Sequence, residues 1–409
     1  MTNDTIFKHI DNLKKEAISL QKRLSAIPAL APENGGRGEW KKSRFLLEYL
    51  KNLPFDMIEE WNAPDKRAEY MVRPNIIASI TGSVPQNLWI MTHMDIVPPG
   101  EKRLWQSDPY EVIEKDGMLI GRGVEDNQQA LVASIIAAKT LFELKLKPKY
   151  NIKLLFVSDE ETASYYGIKW ILKNKLSHFD KTDLFLVPDG GNPEGTMIEI
   201  AEKSIFWIEF KITGKQAHAS MPNLGINAFT AGSHLVIALE QGLKEEFPQK
   251  DPIFTPANST FEPTKKSANV PNVNTIPGED VFCIDMRVLP GIEKEDIIQA
   301  IDIICKKIEK KQNVKISYKI IQEELAAPAT RADAQIVKLL TSRITEVYNV
   351  KAKPMGIGGG SVAAILRRNG FQVALWSKVI ETAHMPNECC SISNMLNDAK
   401  VFSLLMLDP

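Results

Sequence analysis

Met91-Thr-His-Met-Asp-Ile-Val97 closes an apolar run with an imidazole and a carboxylate two residues apart. The run Asn87-Leu-Trp-Ile-Met-Thr92 reads as a buried strand, which puts His93 and Asp95 at its C-terminal end. Alternate residues of an extended chain point to the same side, so both side chains can face one site. Open α/β sheets hold their ligands outside the C-terminal ends of the strands. An imidazole and a carboxylate there suit a divalent metal, and they equally suit an ordinary hydrogen-bonded pair. The rest of the chain has to decide between the two.

The pattern recurs further along the chain. Asn151-Ile-Lys-Leu-Leu-Phe-Val157 is a second apolar strand and ends in Ser158-Asp-Glu-Glu-Thr162. Adjacent acids at a buried strand end repel one another unless water or a cation neutralises them. Leu184-Phe-Leu-Val187 runs into Pro188-Asp-Gly-Gly, again an acid at the C-terminal end. Between these segments, Gly121-Arg-Gly-Val-Glu-Asp126 turns into a helix spanning about 128–144. By position Asp126 is an N-cap, or else a carboxylate bridging two metals over a close glycine backbone. Helices are expected over 5–26 and after Glu39, and a strand over Asn75–Ile80. His384 lies in the loop between a strand at Val373–Trp376 and a last helix at Ile392–Leu407.

The character changes after Ile198. Ser204–Thr213 has strong β propensity, a helix fits Ile226–Glu246, and a strand Val281–Val288 carries Asp285 and Arg287. A helix at Lys294–Lys311 and a strand at Val314–Ile321 complete a strand-helix sandwich. We therefore expect an inserted α+β domain at 203–320 between two parts of one enclosing domain, 1–202 and 321–409. Helix 332–348 and the stretch Gly356-Ile-Gly-Gly-Gly-Ser361 are expected to return to the enclosing domain.

At 409 residues, with 44% hydrophobic and 25% charged residues, the chain has a globular composition and room for two cores. A formal net charge of -1 argues against a nucleic-acid footprint or an anionic membrane partner. The polar N-terminus and four cysteines without a disulfide framework point to a reduced, cytoplasmic setting.

The set His93, Asp95, Asp126, Glu160, Glu161, Asp189 and His384 suits two zinc ions about 3.5–4 Å apart, with one carboxylate left over as general base. In these residues and their order, over nearly the whole chain, the sequence resembles the M20 metallopeptidase/amidohydrolase family. That family includes succinyl-diaminopimelate desuccinylase, acetylornithine deacetylase, aminoacylase, carboxypeptidase G2-like enzymes and dipeptidases. The resemblance implies an α/β fold, with a zinc-peptidase-like catalytic domain of mixed sheet flanked by helices and an inserted α+β lid/dimerisation domain. It implies His93, Asp126, Glu161, Asp189 and His384 as ligands of two divalent ions, zinc first, with cobalt or manganese as alternatives. Asp126 would bridge, Glu160 would be the base, and Asp95 would orient the His93 ring. His218, in Gly214-Lys-Gln-Ala-His-Ala-Ser, would donate to the oxyanion from the partner subunit of a homodimer. The contact is expected on an exposed face of the helix from Ile226, with Phe229, His234, Leu235 and Ile237 among its residues, and on an edge strand near Trp207. Asn274, Arg287, Gly359, Gly360 and Ser361 match substrate-contacting positions.

Residue type alone reads differently at several of these positions. His218 would be a surface loop histidine and Arg287 an ion-pair residue on a strand face. Cys389 and Cys390, close to His384, could be soft ligands, although the oxygen-rich set already closes the site. The chain also departs from the family pattern in two places. Asn127-Gln-Gln-Ala follows Asp126 where many relatives have lysine and glycine, so the family's cis peptide would precede a non-proline residue. Position 189 is aspartate, as in dipeptidase branches, where the desuccinylase and deacetylase branch has glutamate. Ser107-Asp-Pro-Tyr is also similar to dipeptidases. The expected substrate is an N-acyl amino acid or N-acyl diamino acid, with a dipeptidase or metallocarboxypeptidase activity on a dipeptide or C-terminal amino acid as the alternative and a catalytically inactive metal- or ligand-binding relative as the non-enzyme alternative.

Overall fold

The computed structural model describes residues 2–408. The chain divides into two compact units. The first runs up to Ile200 and resumes over Ala329–Met355 and from Ile365; the second is Ala201–Pro328 with Gly356–Ala364.

An eight-stranded mixed sheet organises the first unit. Across it lie Met57–Pro64, Val72–Ile80, Asn151–Val157, Asn87–His93, Leu184–Gly191, Val373–Ser377, Met197–Glu202 and Lys353–Ile357. Strand Asn87–His93 pairs in parallel with both neighbours, with His93 opposite Val157 and Leu88 opposite Leu184. Its continuous apolar run follows from this central place, because a parallel strand is buried on both faces. The three C-terminal ends therefore open side by side. Helix Ala130–Glu143 lies against strand Asn87–His93 and against the last helix, Ile392–Leu407. Most of its residues are buried, and Lys139 and Glu143 mark the one polar side of an otherwise apolar helix.

The second unit is an antiparallel sheet in the order Thr260–Lys266, Glu279–Val288, Ser204–Thr213, Lys315–Glu324. Along Ser204–Thr213 the side chains alternate. Phe206, Ile208, Phe210 and Ile212 turn inward, while Trp207 and Lys211 are exposed. Helices Ala228–Glu246 and Lys294–Gln312 close the inward face, with Leu235, Leu239, Ile301 and Ile308 in one core with those strand residues. The expected strand-helix sandwich is present.

Four expectations need correction. The first helix is two, Asn3–Asn12 and Lys14–Ser25, broken at Leu13, whose N–H bonds to the His9 and Ile10 carbonyls. The glycine stretch belongs to the second unit, not to the enclosing one. There the Gly356 N–H donates to the Ile253 carbonyl, Ile357 O accepts from Lys203 N, and Ser361 Oγ meets Glu202. The strand that carries Trp207 is central, not an edge. Leu235, expected on an exposed helix face with Phe229 and Ile237, is fully buried, whereas those two are about half exposed. All four cysteines are free thiols. Among the described residues no helix is long and apolar enough to cross a membrane.

Candidate metal centre

The centre assembles at the adjoining C-terminal ends of the three parallel strands. His93 is 1% exposed, and its Nδ1 lies 3.0 Å from the Asp95 carbonyl oxygen. A carbonyl can only accept, so Nδ1 carries a proton and Nε2 is the ring nitrogen that faces the site. That nitrogen is 2.9 Å from Asp126 Oδ1 and 3.3 Å from Asp189 Oδ1. The ring is thus oriented by the main chain of Asp95. The Asp95 carboxylate, 3.5 Å from Nδ1, instead accepts the N–H groups of Glu160 at 3.1 Å and Glu161 at 3.0 Å. Asp95 ties one strand end to the acidic loop of the next.

Asp126 follows Gly123, whose φ of 80° is the left-handed turn that glycine permits, and its peptide to Asn127 is cis. Its Oδ2 is 3.1 Å from His384 Nε2, which is also 3.1 Å from Glu161 Oε2. Two groups result, His93–Asp126–Asp189 and Asp126–Glu161–His384, each with ligand atoms within 4.8 Å of one another. Asp126 gives one oxygen to each. Glu160 belongs to neither.

The electrostatics fit a pair of divalent ions at this position. Burial, reinforced by the charge of Asp126, pushes Glu161 up to about 7. Burial and the negative charge of Asp189 hold Glu160 well above the ordinary glutamate range. Hydrogen bonds to Asp126 and Glu161 push His384 up to about 10. Glu161 Oε1 is buried with no hydrogen-bond partner among the described residues. Crowded carboxylates with an orphaned oxygen are what a cation relieves. Cys389 and Cys390 are in neither group.

Several supporting residues escape sequence reasoning. Glu388 is fully buried and takes four donors, Arg122 Nη1 at 2.7 Å and the N–H groups of Gly123, Glu125 and Asp126 at 2.9–3.0 Å. Arg122 Nη2 donates in turn to the His384 carbonyl at 3.3 Å. One carboxylate thereby joins the turn bearing Asp126 to the loop bearing His384. Asn127 Nδ2 donates to Asp189 Oδ1 at 2.7 Å, and its Oδ1 accepts the His93 N–H at 3.3 Å. The one available signal was Glu388 itself, an acid four residues after His384 beside two cysteines. A cavity of about 300 Å³ opens beside Asp126, Asn127, Asp189 and Gly190.

The second unit holds the remaining predicted residues in two places. His218 is exposed on the short strand Ala217–His218, opposite Thr275, and the Ala219 N–H bonds to the Asn274 carbonyl. The Ser220 N–H donates to His218 Nδ1 at 3.2 Å, so Nε2 carries the ring proton and is a donor. Arg287 makes the ion pair its residue type suggests. Its Nε and Nη2 engage Asp285 at 2.6 and 2.9 Å, and Nη1 donates to the Gly358 carbonyl at 3.0 Å. The fork of Nε and Nη2 is thus taken by Asp285. Gly359 and Gly360 follow on the same loop, with Gly360 against Glu324.

The model of peptidase family M20/M25/M40 matches residues 89–408. An uncharacterized metallohydrolase of Methanococcus maripaludis is 41% identical over 407 residues, 95% of this chain and 97% of that protein. A succinyl-diaminopimelate desuccinylase of Pelagibacter ubique is 27% identical over 394 residues, again 95% of this chain and 97% of its own. In fold, human carnosine dipeptidase 1 aligns with a TM-score of 0.74 at 17% identity, covering 100% of this chain and 98% of that one. The match begins in the His93 strand and runs through the last helix, and on that ground the chain belongs to peptidase family M20/M25/M40, as a metallohydrolase of amide or peptide bonds.

Proposed function

We propose that the chain hydrolyses the amide bond of small N-acyl amino acids or N-acyl diamino acids with two divalent ions, zinc foremost. The observation that carries the two-ion reading is the division of Asp126, one oxygen toward His93 and Asp189 and the other toward His384 and Glu161. When bound, the ions supply Lewis acidity toward the scissile carbonyl and acidify water. Glu160, outside both groups, takes the proton from the attacking water and hands it to the leaving amine. The raised affinity of its buried carboxylate for a proton suits both halves of that transfer. Asp95, through the N–H groups of Glu160 and Glu161, keeps base and ligand in register.

The acyl reading is supported by the desuccinylase among the sequence relatives. Asp189 and Ser107-Asp-Pro-Tyr favour a dipeptide as the second reading. A kinetic panel of N-succinyl-diaminopimelate, N-acetylornithine and simple dipeptides, run with and without a chelator, separates them. We expect chelator-sensitive turnover of the acyl substrates. Turnover of dipeptides alone would retire the acyl reading, and turnover that survives metal removal would retire the metal mechanism.

His218 is the proposed oxyanion donor, lent to the site by a second copy of the chain in a homodimer. Its tautomer supports that role, since Ser220 occupies Nδ1 and leaves Nε2–H to donate. Loss of one such donor typically costs about 10²–10³ in turnover. His218→Ala should fall by that much while still binding metal. Mixed with Glu160→Gln subunits it should regain activity, because a mixed dimer contains one intact site. Failure to recover after verified subunit exchange would mean that each chain uses its own histidine.

A further inference from the structure

Behind the acidic loop lies a buried charge cluster that the mechanism above leaves without a task. Arg73 and Glu39 are both fully buried. Arg73 grips Glu39 with two parallel hydrogen bonds, Nε to Oε2 at 2.7 Å and Nη2 to Oε1. The same Nη2 is 3.4 Å from Asp159 Oδ1, and the Asp159 N–H reaches Glu39 Oε1 at 3.3 Å. Asp159 immediately precedes Glu160 and Glu161, has a φ of 66°, and accepts Thr162 Oγ1 and the Tyr166 N–H on its two oxygens. Beside it the Ser158 N–H donates to Asn75 Oδ1 at 3.0 Å, from the same strand as Arg73.

A buried guanidinium on two carboxylates is weak evidence for stability, since desolvation offsets most of the attraction. Its geometric effect is large. A planar fork fixed by Glu39 holds Asp159 in one place, and Asp159 sets the direction in which the next two residues leave the strand. On the other side, the Asp95 carboxylate holds the N–H groups of those same two residues. The loop is clamped from both faces.

We infer that Arg73, backed by Glu39, is a positioning residue that acts through Asp159 to aim Glu160 as base and Glu161 as ligand. This rests on the two-metal reading given above. Misplacement of a reacting group by about 1 Å can cost 10²-fold, and loss of a residue that supports a metal ligand typically costs about 10–100-fold in activity or affinity.

The test uses the full-length enzyme loaded with cobalt(II), comparing wild type with Asp159→Asn, Arg73→Lys and Asp65→Asn. Asp65 is the control, a buried acid 3.6 Å from Arg73 Nη1 whose carboxylate hydrogen bonds among the described residues go to Arg67 rather than to the loop. Asp159→Asn and Arg73→Lys should each lower kcat by about 10–100-fold with KM within about threefold. Each should also shift the visible cobalt absorption, because Glu161 moves. The double variant should be no worse than the poorer single one, as expected of residues acting as a unit. Asp65→Asn should keep both kcat and spectrum. If Asp159→Asn is folded and metal-loaded with wild-type kcat and spectrum, or if Asp65→Asn is as impaired as the other two, the inference is wrong. Arg73→Lys retains the buried charge and gives the same readings should Asp159→Asn fold poorly. The wild-type cobalt titration is separate. Fewer than two equivalents there would overturn the two-metal reading itself, whereas the spectral comparison between variants bears on the positioning alone.

Discussion

Glu160→Gln should end turnover while both metal equivalents remain bound. The residue shares its loop with Glu161 yet lies outside both ligand groups, so removing its charge takes no donor from either. Glutamine keeps the volume and the hydrogen-bonding shape but cannot accept and return a proton. General acid–base catalysis contributes about 10²–10⁴-fold, and the loss in kcat should fall in or above that range. Metal content per chain, measured beside kcat on the same sample, checks both halves. Full activity would remove Glu160 from the mechanism, and loss of a metal equivalent would make it a ligand.

Asp126→Ala should have the larger effect on the centre, since it withdraws a donor from both groups at once. Its side chain is the only one shared between His93–Asp126–Asp189 and Asp126–Glu161–His384. The backbone N–H of residue 126 still reaches Glu388, so the turn itself has an anchor independent of the side chain. Metal content should drop from two equivalents to below one, activity should become undetectable, and added metal should no longer raise the thermal midpoint. His384→Ala, by contrast, removes a donor from one group only and should keep one ion. Two tightly held ions in Asp126→Ala would show that the carboxylate does not bridge.

Much of the candidate site could be read from the chain because three of its five proposed ligands end or follow a buried strand. His93, Glu161 and Asp189 stand where apolar runs stop, and an apolar run is a local signal. The core stripe of helix Ala228–Glu246 was equally local, with Ala228, Ala231, Leu235, Leu239 and Leu243 at steps of three and four. Placing Leu235 on the exposed face overlooked that periodicity, whereas Phe229 and Ile237 lie off the stripe and are exposed. Other features had no local signal. Glu388 meets Gly123 and Arg73 meets Asp159 across long stretches of sequence, and no spacing rule reports such a partner. The glycine stretch 356–364 was misassigned for a related reason. Its partners Lys203, Ile253 and Arg287 all lie in the inserted segment, and a turn-rich loop carries no hydrophobic period to show which core it joins.

The interrupted layout of the first unit also bears on how the protein is made. Residues 201–328 are contiguous and can close their core as soon as they leave the ribosome. Helix Ala130–Glu143 emerges earlier with most of its surface apolar, but the helix that lies against it, Ile392–Leu407, follows only after roughly 250 further residues. At roughly 5–20 residues per second the nascent chain carries that bare face for about 10–50 s. The interval is a window for chaperone capture or self-association. His384 emerges well after His93, Asp126, Glu161 and Asp189, so the two candidate ligand groups cannot both be complete until that late segment has been made.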